Sequence, residues 1–167
     1  MKKTVVISPC LKYRYILGRI WEQTKCCLIF VGLNPSTLDA NIDDTTIKRC
    51  MYIAENHGYG GILMLNLFAY ITKSPSILIS AGLYEHDIIG NNEQYLQIAL
   101  DSHDVCLYWG TNANNRYLQK FHDKTIDKFK RGLCLGINAD GSPKHPLYLK
   151  KDTKLIEWNP QILNARK

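Results

Sequence analysis

Asn34 is the residue with the most site-like setting in this chain. It lies in the turn Gly32-Leu33-Asn34-Pro35-Ser36, which closes the apolar run CCLIFVG at residues 26–32. A fully apolar, β-branched run ended by glycine and proline reads as a strand buried on both faces, and ligands of α/β sheets sit beyond the carboxyl ends of such strands. Gly32 lets the backbone turn and approach a ligand, Pro35 stiffens the loop, and Asn34 is left as a short amide at the mouth. The same residues also serve ordinary turns. A second candidate is His145, in Lys144-His145-Pro146-Leu147 after the last expected strand, where it can share that mouth. A third group is Asp39, Asp43 and Asp44. Closely spaced carboxylates beyond a strand end can hold Mg²⁺, which in a basic protein suggests a nuclease or phosphotransferase. They equally suit capping and charging the N-terminus of the next helix. A phosphate-binding P-loop, a glycine-rich dinucleotide fingerprint, a Gly-x-Ser-x-Gly elbow and His-Glu-x-x-His are all missing from the sequence.

These groups need a scaffold. Residues 13–21, YRYILGRIW, alternate with a period of two and suggest an edge hairpin with residues 4–7. After the central strand, Thr45 or Thr46 can cap a helix carrying Ile47, Cys50, Met51, Ala54 and His57, which Gly58 stops. Gly60-Gly61 then leads into a second buried strand, residues 62–68, giving a right-handed crossover. A long connection follows at residues 69–90, a length more often functional than idle. Asn91 or Asn92 caps a helix through Tyr95, Leu96, Ala99 and Leu100, and residues 104–109 form a third strand. Asn112 starts a helix with Tyr117, Leu118 and Phe121, and residues 133–137 form the fourth strand. The expected fold is an α/β three-layer α/β/α sandwich with a central, mainly parallel four-stranded sheet and an N-terminal edge strand or hairpin. Its rim carries three polar loops: residues 32–36, the segment from Asn66, and residues 144–147.

The chain has 167 residues, 46% of them hydrophobic, which suits a single domain over residues 1–167. Its apolar stretches are too short for a signal-peptide core or a membrane span, so no membrane association and a cytoplasmic location are expected. Six cysteines, without Cys-x-x-Cys spacing, read as thiols rather than disulfides or metal ligands. Twenty-one Lys and Arg against 15 Asp and Glu leave a formal charge of +6, grouped at Lys12, Arg14 and Arg19, at residues 120–131, and at Lys144, Lys150, Lys151 and Lys154. Such clusters favour a polyanion, most commonly nucleic acid.

The ordered set Gly32-Leu33-Asn34-Pro35-Ser36, Asn66, Tyr108-Trp109-Gly110 and His145-Pro146 resembles the uracil-DNA glycosylase superfamily across residues 26–149. The likeness is greatest to a subgroup without an assigned function, marked by GLNPSTLDANIDDTTIKRC and HPLYL. The resemblance implies a monomeric, cofactor-free and metal-free DNA glycosylase acting on single- or double-stranded DNA. Asn34 matches the position that holds the attacking water, in a loop where Gly32, Leu33, Pro35 and Ser36 line the substrate. An amide is a poor base, so Asn34 would orient water and not deprotonate it. Asn66 matches the residue that hydrogen-bonds the flipped base. His145 matches the residue that stabilises charge on the departing base, with Pro146, Lys144, Lys150 and Lys151 pressing on the DNA backbone.

This chain departs from that pattern in three ways. Residues 37–51 contain no aromatic side chain to stack on the base, so Phe68, Tyr70 or Tyr52 would replace it, or the substrate is not plain uracil. The last motif reads HPLYL, where serine commonly follows the proline. No cysteine quartet is present, and no iron–sulfur cluster is expected. Two alternatives stay open: a non-catalytic nucleic-acid or nucleotide binder on the same fold, and a Mg²⁺ nuclease using Asp39, Asp43 and Asp44.

Overall fold

The computed structural model describes residues 1–39, 41–80, 91–115, 118, 125–129, 131–150 and 152–159. Seven strands form one sheet: β1 (Lys2–Ile7), β2 (Arg14–Ile20), β3 (Cys27–Gly32), β4 (Gly61–Asn66), β5 (Val105–Leu107), β6 (Gly132–Cys134) and β7 (Ile156–Trp158). Three α-helices accompany them among the described residues: α1 (Thr45–Asn56), α2 (Pro75–Ser80) and α3 (Glu93–Leu100). The strand order is β1-β2-β4-β3-β5-β6-β7. Pairing is parallel for β3 with β4, β3 with β5 and β5 with β6, and antiparallel for β1 with β2, β2 with β4 and β6 with β7.

The expected four-stranded sheet in a three-layer sandwich is therefore overturned: the sheet is seven-stranded and mixed, with strands dominating. Two physical reasons stand out. Alternation in β2 says that one face is buried but not which strand it pairs with, and β2 joins β4 directly, Leu17 opposite Met64. β7 is only three residues long, below the length at which a periodic pattern becomes readable. After Gly110 the expected helix is also absent at its start, where residues Thr111–Asn114 make a single 3₁₀ turn. Tyr117 and Phe121 lie outside the described residues.

Each sheet face has its own core. Leu28, Phe30, Ile62 and Met64 pack with Ile47, Cys50, Ile53 and Ala54 of α1 on one side. Ile29, Val31, Leu65 and Leu107 pack with Leu78, Leu96 and Ala99 on the other. Strict alternation along β3 divides the two sets, as a strand's period of two requires. Helix α1 is capped by Asp44, whose side chain accepts from Ile47 N, and not by Thr45 or Thr46. Three cysteines (50, 106 and 134) are buried, Cys10 and Cys26 are exposed, and all six are free thiols. Among the described residues no helix is long and apolar enough to cross a membrane.

Candidate functional site

Backbone hydrogen bonds continue past the strand ends and fix the rim. Leu67 N donates to Gly32 O, Phe68 N to Leu33 O and Thr72 N to Pro35 O, each at 2.9 Å, so the loops leaving β3 and β4 run side by side. On the other flank Tyr108 N donates to Val31 O, Gly110 N to Pro143 O and Lys144 N to Gly136 O. This last contact closes a turn braced by Asp140, which accepts from Ser142 N, Ser142 Oγ and Asn114 Nδ2. Burial pushes the Asp140 carboxyl up, but these hydrogen bonds outweigh it and hold the group below its ordinary range. A cavity of about 410 Å³ opens between the two flanks on the α1 side, within the size range of small-ligand pockets.

Asn34, Asn66 and His145 all line this cavity, as do Leu33 and Ser36. The Asn34 amide nitrogen donates to Thr72 O at 2.8 Å and Pro35 O at 3.1 Å, which leaves its Oδ1 as the group able to accept from a ligand or water. Asn66 is 3% exposed, and its side chain makes no hydrogen bond among the described residues. Asn92 holds that strand end by donating to Asn66 O at 2.7 Å and Leu67 O at 3.1 Å. Of the expected caps Asn91 and Asn92, it is Asn92 that stands at the N-cap of α3, but its side chain makes no capping bond and serves the strand end instead.

His145 Nδ1 accepts from Leu147 N at 3.3 Å, so the neutral ring carries its proton on Nε2. Burial lowers its pKa, while the charge of Asp44 acts the other way. Its ring meets Tyr108 edge to face at 5.4 Å. Tyr108 lies against Gly32, where any Cβ would fall 2.5 Å from the ring carbon Cζ, so glycine is needed there to admit the ring. Burial raises the Tyr108 phenol well above its ordinary range, leaving a neutral hydroxyl with no hydrogen bond among the described residues.

Several expected site residues stand elsewhere. Phe68 is fully buried in the core of the opposite sheet face, with its backbone N–H donating to Leu33 O. Pro146 is buried as the first residue of a 3₁₀ turn, Pro146–Tyr148, and Pro35 contributes its carbonyl to the loop. Neither they nor Gly32, Lys144 and Lys150 line the cavity, and Lys151 lies outside the described residues. Tyr52 and Tyr70 do not line it either. The aromatic groups there are Tyr108, Trp109 and Tyr148, the last 84% exposed beside His145. Arg49 of α1 donates to Leu149 O and pins the segment that carries Tyr148. The sequence pattern pointed to none of them as the stacking group, although Tyr148 stands in HPLYL itself.

The three carboxylates are separated by their tasks. Asp43 pairs with Arg19 Nε at 2.7 Å, Asp44 accepts from Ile47 N and Ser36 Oγ, and Asp39 accepts from Asn41 N. Among the described residues no group of three or more His, Cys, Asp or Glu is placed to hold a metal ion. The basic cluster near the N-terminus is also not a surface patch at two positions, since Arg14 and Arg19 are buried at 5% and 0% exposure.

Comparison with known proteins gives one family match, to a model described as a protein of unknown function (DUF1643), over residues 14–147. No curated protein and no solved structure matches the chain.

Proposed function

Since the chain belongs to the DUF1643 family of unknown function, its cavity is the guide to its role, and we propose a nucleic-acid-binding protein that hydrolyses the N-glycosidic bond of a base drawn into that cavity. The observation that carries this reading is the convergence of Asn34, Asn66 and His145, from three separate segments, on one cavity.

Breaking such a bond leaves positive charge on the sugar and negative charge on the base, with the bonding electrons departing on the base. Asn34 Oδ1 holds a water facing C1′ by accepting its hydrogen bond. The water's proton is released to solvent once its oxygen has bonded to carbon, because an amide cannot remove it beforehand, and the departed base anion takes up a proton from solvent. The Asn66 side chain both donates to and accepts from the base edge. The Nε2–H of neutral His145 donates to the base oxygen on which charge accumulates. Tyr148 stands at the mouth as a stacking surface for a base out of the duplex. The resemblance of the ordered motifs to uracil-DNA glycosylases supports the same assignment of roles.

A non-catalytic reader of nucleic acid or nucleotide is the second reading. It is favoured by the two loop carbonyls that Asn34 satisfies, a structural task that persists without chemistry. The test is formation of abasic sites, in chelator, on single- and double-stranded oligonucleotides carrying uracil, mismatched thymine, hypoxanthine or modified cytosines. Alkali-labile product that disappears in Asn34→Ala and His145→Ala is expected. Binding without product on every substrate would reject hydrolysis and leave the reader.

A further inference from the structure

β2 buries two arginines in different surroundings. Arg19 is matched by Asp43 at 2.7 Å and also donates from Nη1 to Gly18 O at 2.8 Å. Arg14 lines the cavity at 5% exposure, and Nη1 donates to Thr37 O at 2.9 Å. Its Nε has no partner and it forms no ion pair among the described residues. The nearby carboxylate, Asp44, has both oxygens engaged by Ile47 N and Ser36 Oγ. A guanidinium stays charged, and Asp44 favours that charge only at a distance, so Arg14 is buried with no carboxylate in direct contact, which is unfavourable. Lys73, exposed and next to the loop held by Thr72, lines the same cavity, so two cations face one carboxylate there while His145 is held neutral.

We infer that Arg14, with Lys73 at the rim, forms an oxyanion subsite and that the ligand of this cavity enters carrying a phosphate. The inference builds on reading the cavity as a nucleotide site and adds the group that anchors it. The planar fork of arginine matches two phosphate oxygens at once, and Lys73 adds a point charge from the solvent side. The phosphate belongs either to a nucleic-acid strand or to a free nucleotide.

Calorimetric titration of the full chain with 2′-deoxyuridine, 2′-deoxyuridine 5′-monophosphate, inorganic phosphate and a single-stranded oligonucleotide tests this. The monophosphate should bind about tenfold or more tightly than the nucleoside, the size of effect expected for hydrogen bonds to a charged group. Inorganic phosphate should compete. Arg14→Gln keeps a donor for Thr37 O but drops the charge, and should erase the preference without weakening the nucleoside. If that variant does not fold, the exposed Lys73→Ala decides: a loss confined to the monophosphate supports the subsite, and no change overturns it. An oligonucleotide that displaces the monophosphate identifies the strand as the source, whereas failure to displace identifies the free nucleotide. Equal binding of nucleoside and monophosphate, or a preference retained in Arg14→Gln, overturns the inference. Abasic-site formation without any phosphate preference leaves hydrolysis standing and removes the subsite; phosphate preference without abasic sites does the reverse.

Discussion

Replacing Gly32 by alanine sets a methyl carbon 2.5 Å from Tyr108 Cζ, 2.6 Å from its Oη and 2.8 Å from Cε2. Carbon atoms rest at about 3.5–4.0 Å, so the ring has to retreat by about 1 Å. It has little room to do so, because Tyr108 is 6% exposed and meets Phe30 at 6.0 Å and His145 at 5.4 Å, both edge to face. Overpacking of this kind costs about 1–3 kcal/mol. In a domain of this size each kcal/mol moves the melting temperature by about 2–4 °C, so a fall of about 2–12 °C is expected by circular dichroism. A displaced ring also shifts His145, so oligonucleotide affinity and any base excision should fall with it. Tyr108→Leu removes the atoms that clash, and in the double variant the two losses should be less than additive. Gly32→Ala melting within about 1 °C of the parent, below the expected fall, together with additive losses, would refute the placement of the ring over the strand end.

Asp43→Asn leaves fully buried Arg19 without that carboxylate and should lower unfolding free energy by about 3 kcal/mol in a denaturant titration. Asn92→Ala strips the donor from the buried Asn66 and Leu67 carbonyls, for a loss of about 1–3 kcal/mol, and Asn92→Asp should be worse because it aims a carboxylate at the same oxygens. For His145, whose pKa lies below 6.5 in the folded chain, the unfolded state takes up its proton first as pH falls. Its contribution to stability is therefore complete above pH 6.5 and is lost below it. An NMR titration of the ring with a midpoint above 6.5 would contradict this, as would an acid limb unchanged in His145→Gln.

Strands β3, β4 and β5 and the cavity residues Asn34 and Asn66 were readable for one reason: burial on both faces leaves a continuous apolar run, and whatever polar group follows it must sit at the sheet's mouth. His145 stands further on, after the turn that leaves β6. Arg14 was not readable in that way. In an alternating strand a charged residue normally faces water, and nothing in YRYILGRIW shows that the loop at residues 33–37 folds back over it. The same limit misplaced Phe68, which follows Asn66 closely in sequence but packs on the other side of the sheet. Direction of pairing was hidden too, since apolar alternation is identical whether β2 runs with or against β4. Asn92 was legible as the N-cap of α3, but its second task was not, because only the fold brings the Asn66 and Leu67 carbonyls to its amide.

The order β1-β2-β4-β3 has a consequence for how the chain acquires this sheet. β2 and β3 are consecutive in sequence, yet each pairs with β4 and not with the other. During synthesis the hairpin and the central apolar strand both leave the ribosome with open edges, and those edges stay open until residues 61–66 arrive to fill the gap between them. Filling it is a non-local, entropically slow step, and an unpaired apolar strand is the species that associates with its neighbours in the meantime. Substitutions in β4 should therefore reduce soluble yield more than their effect on the finished fold would suggest, with aggregation traced to the nascent chain and not to the native protein.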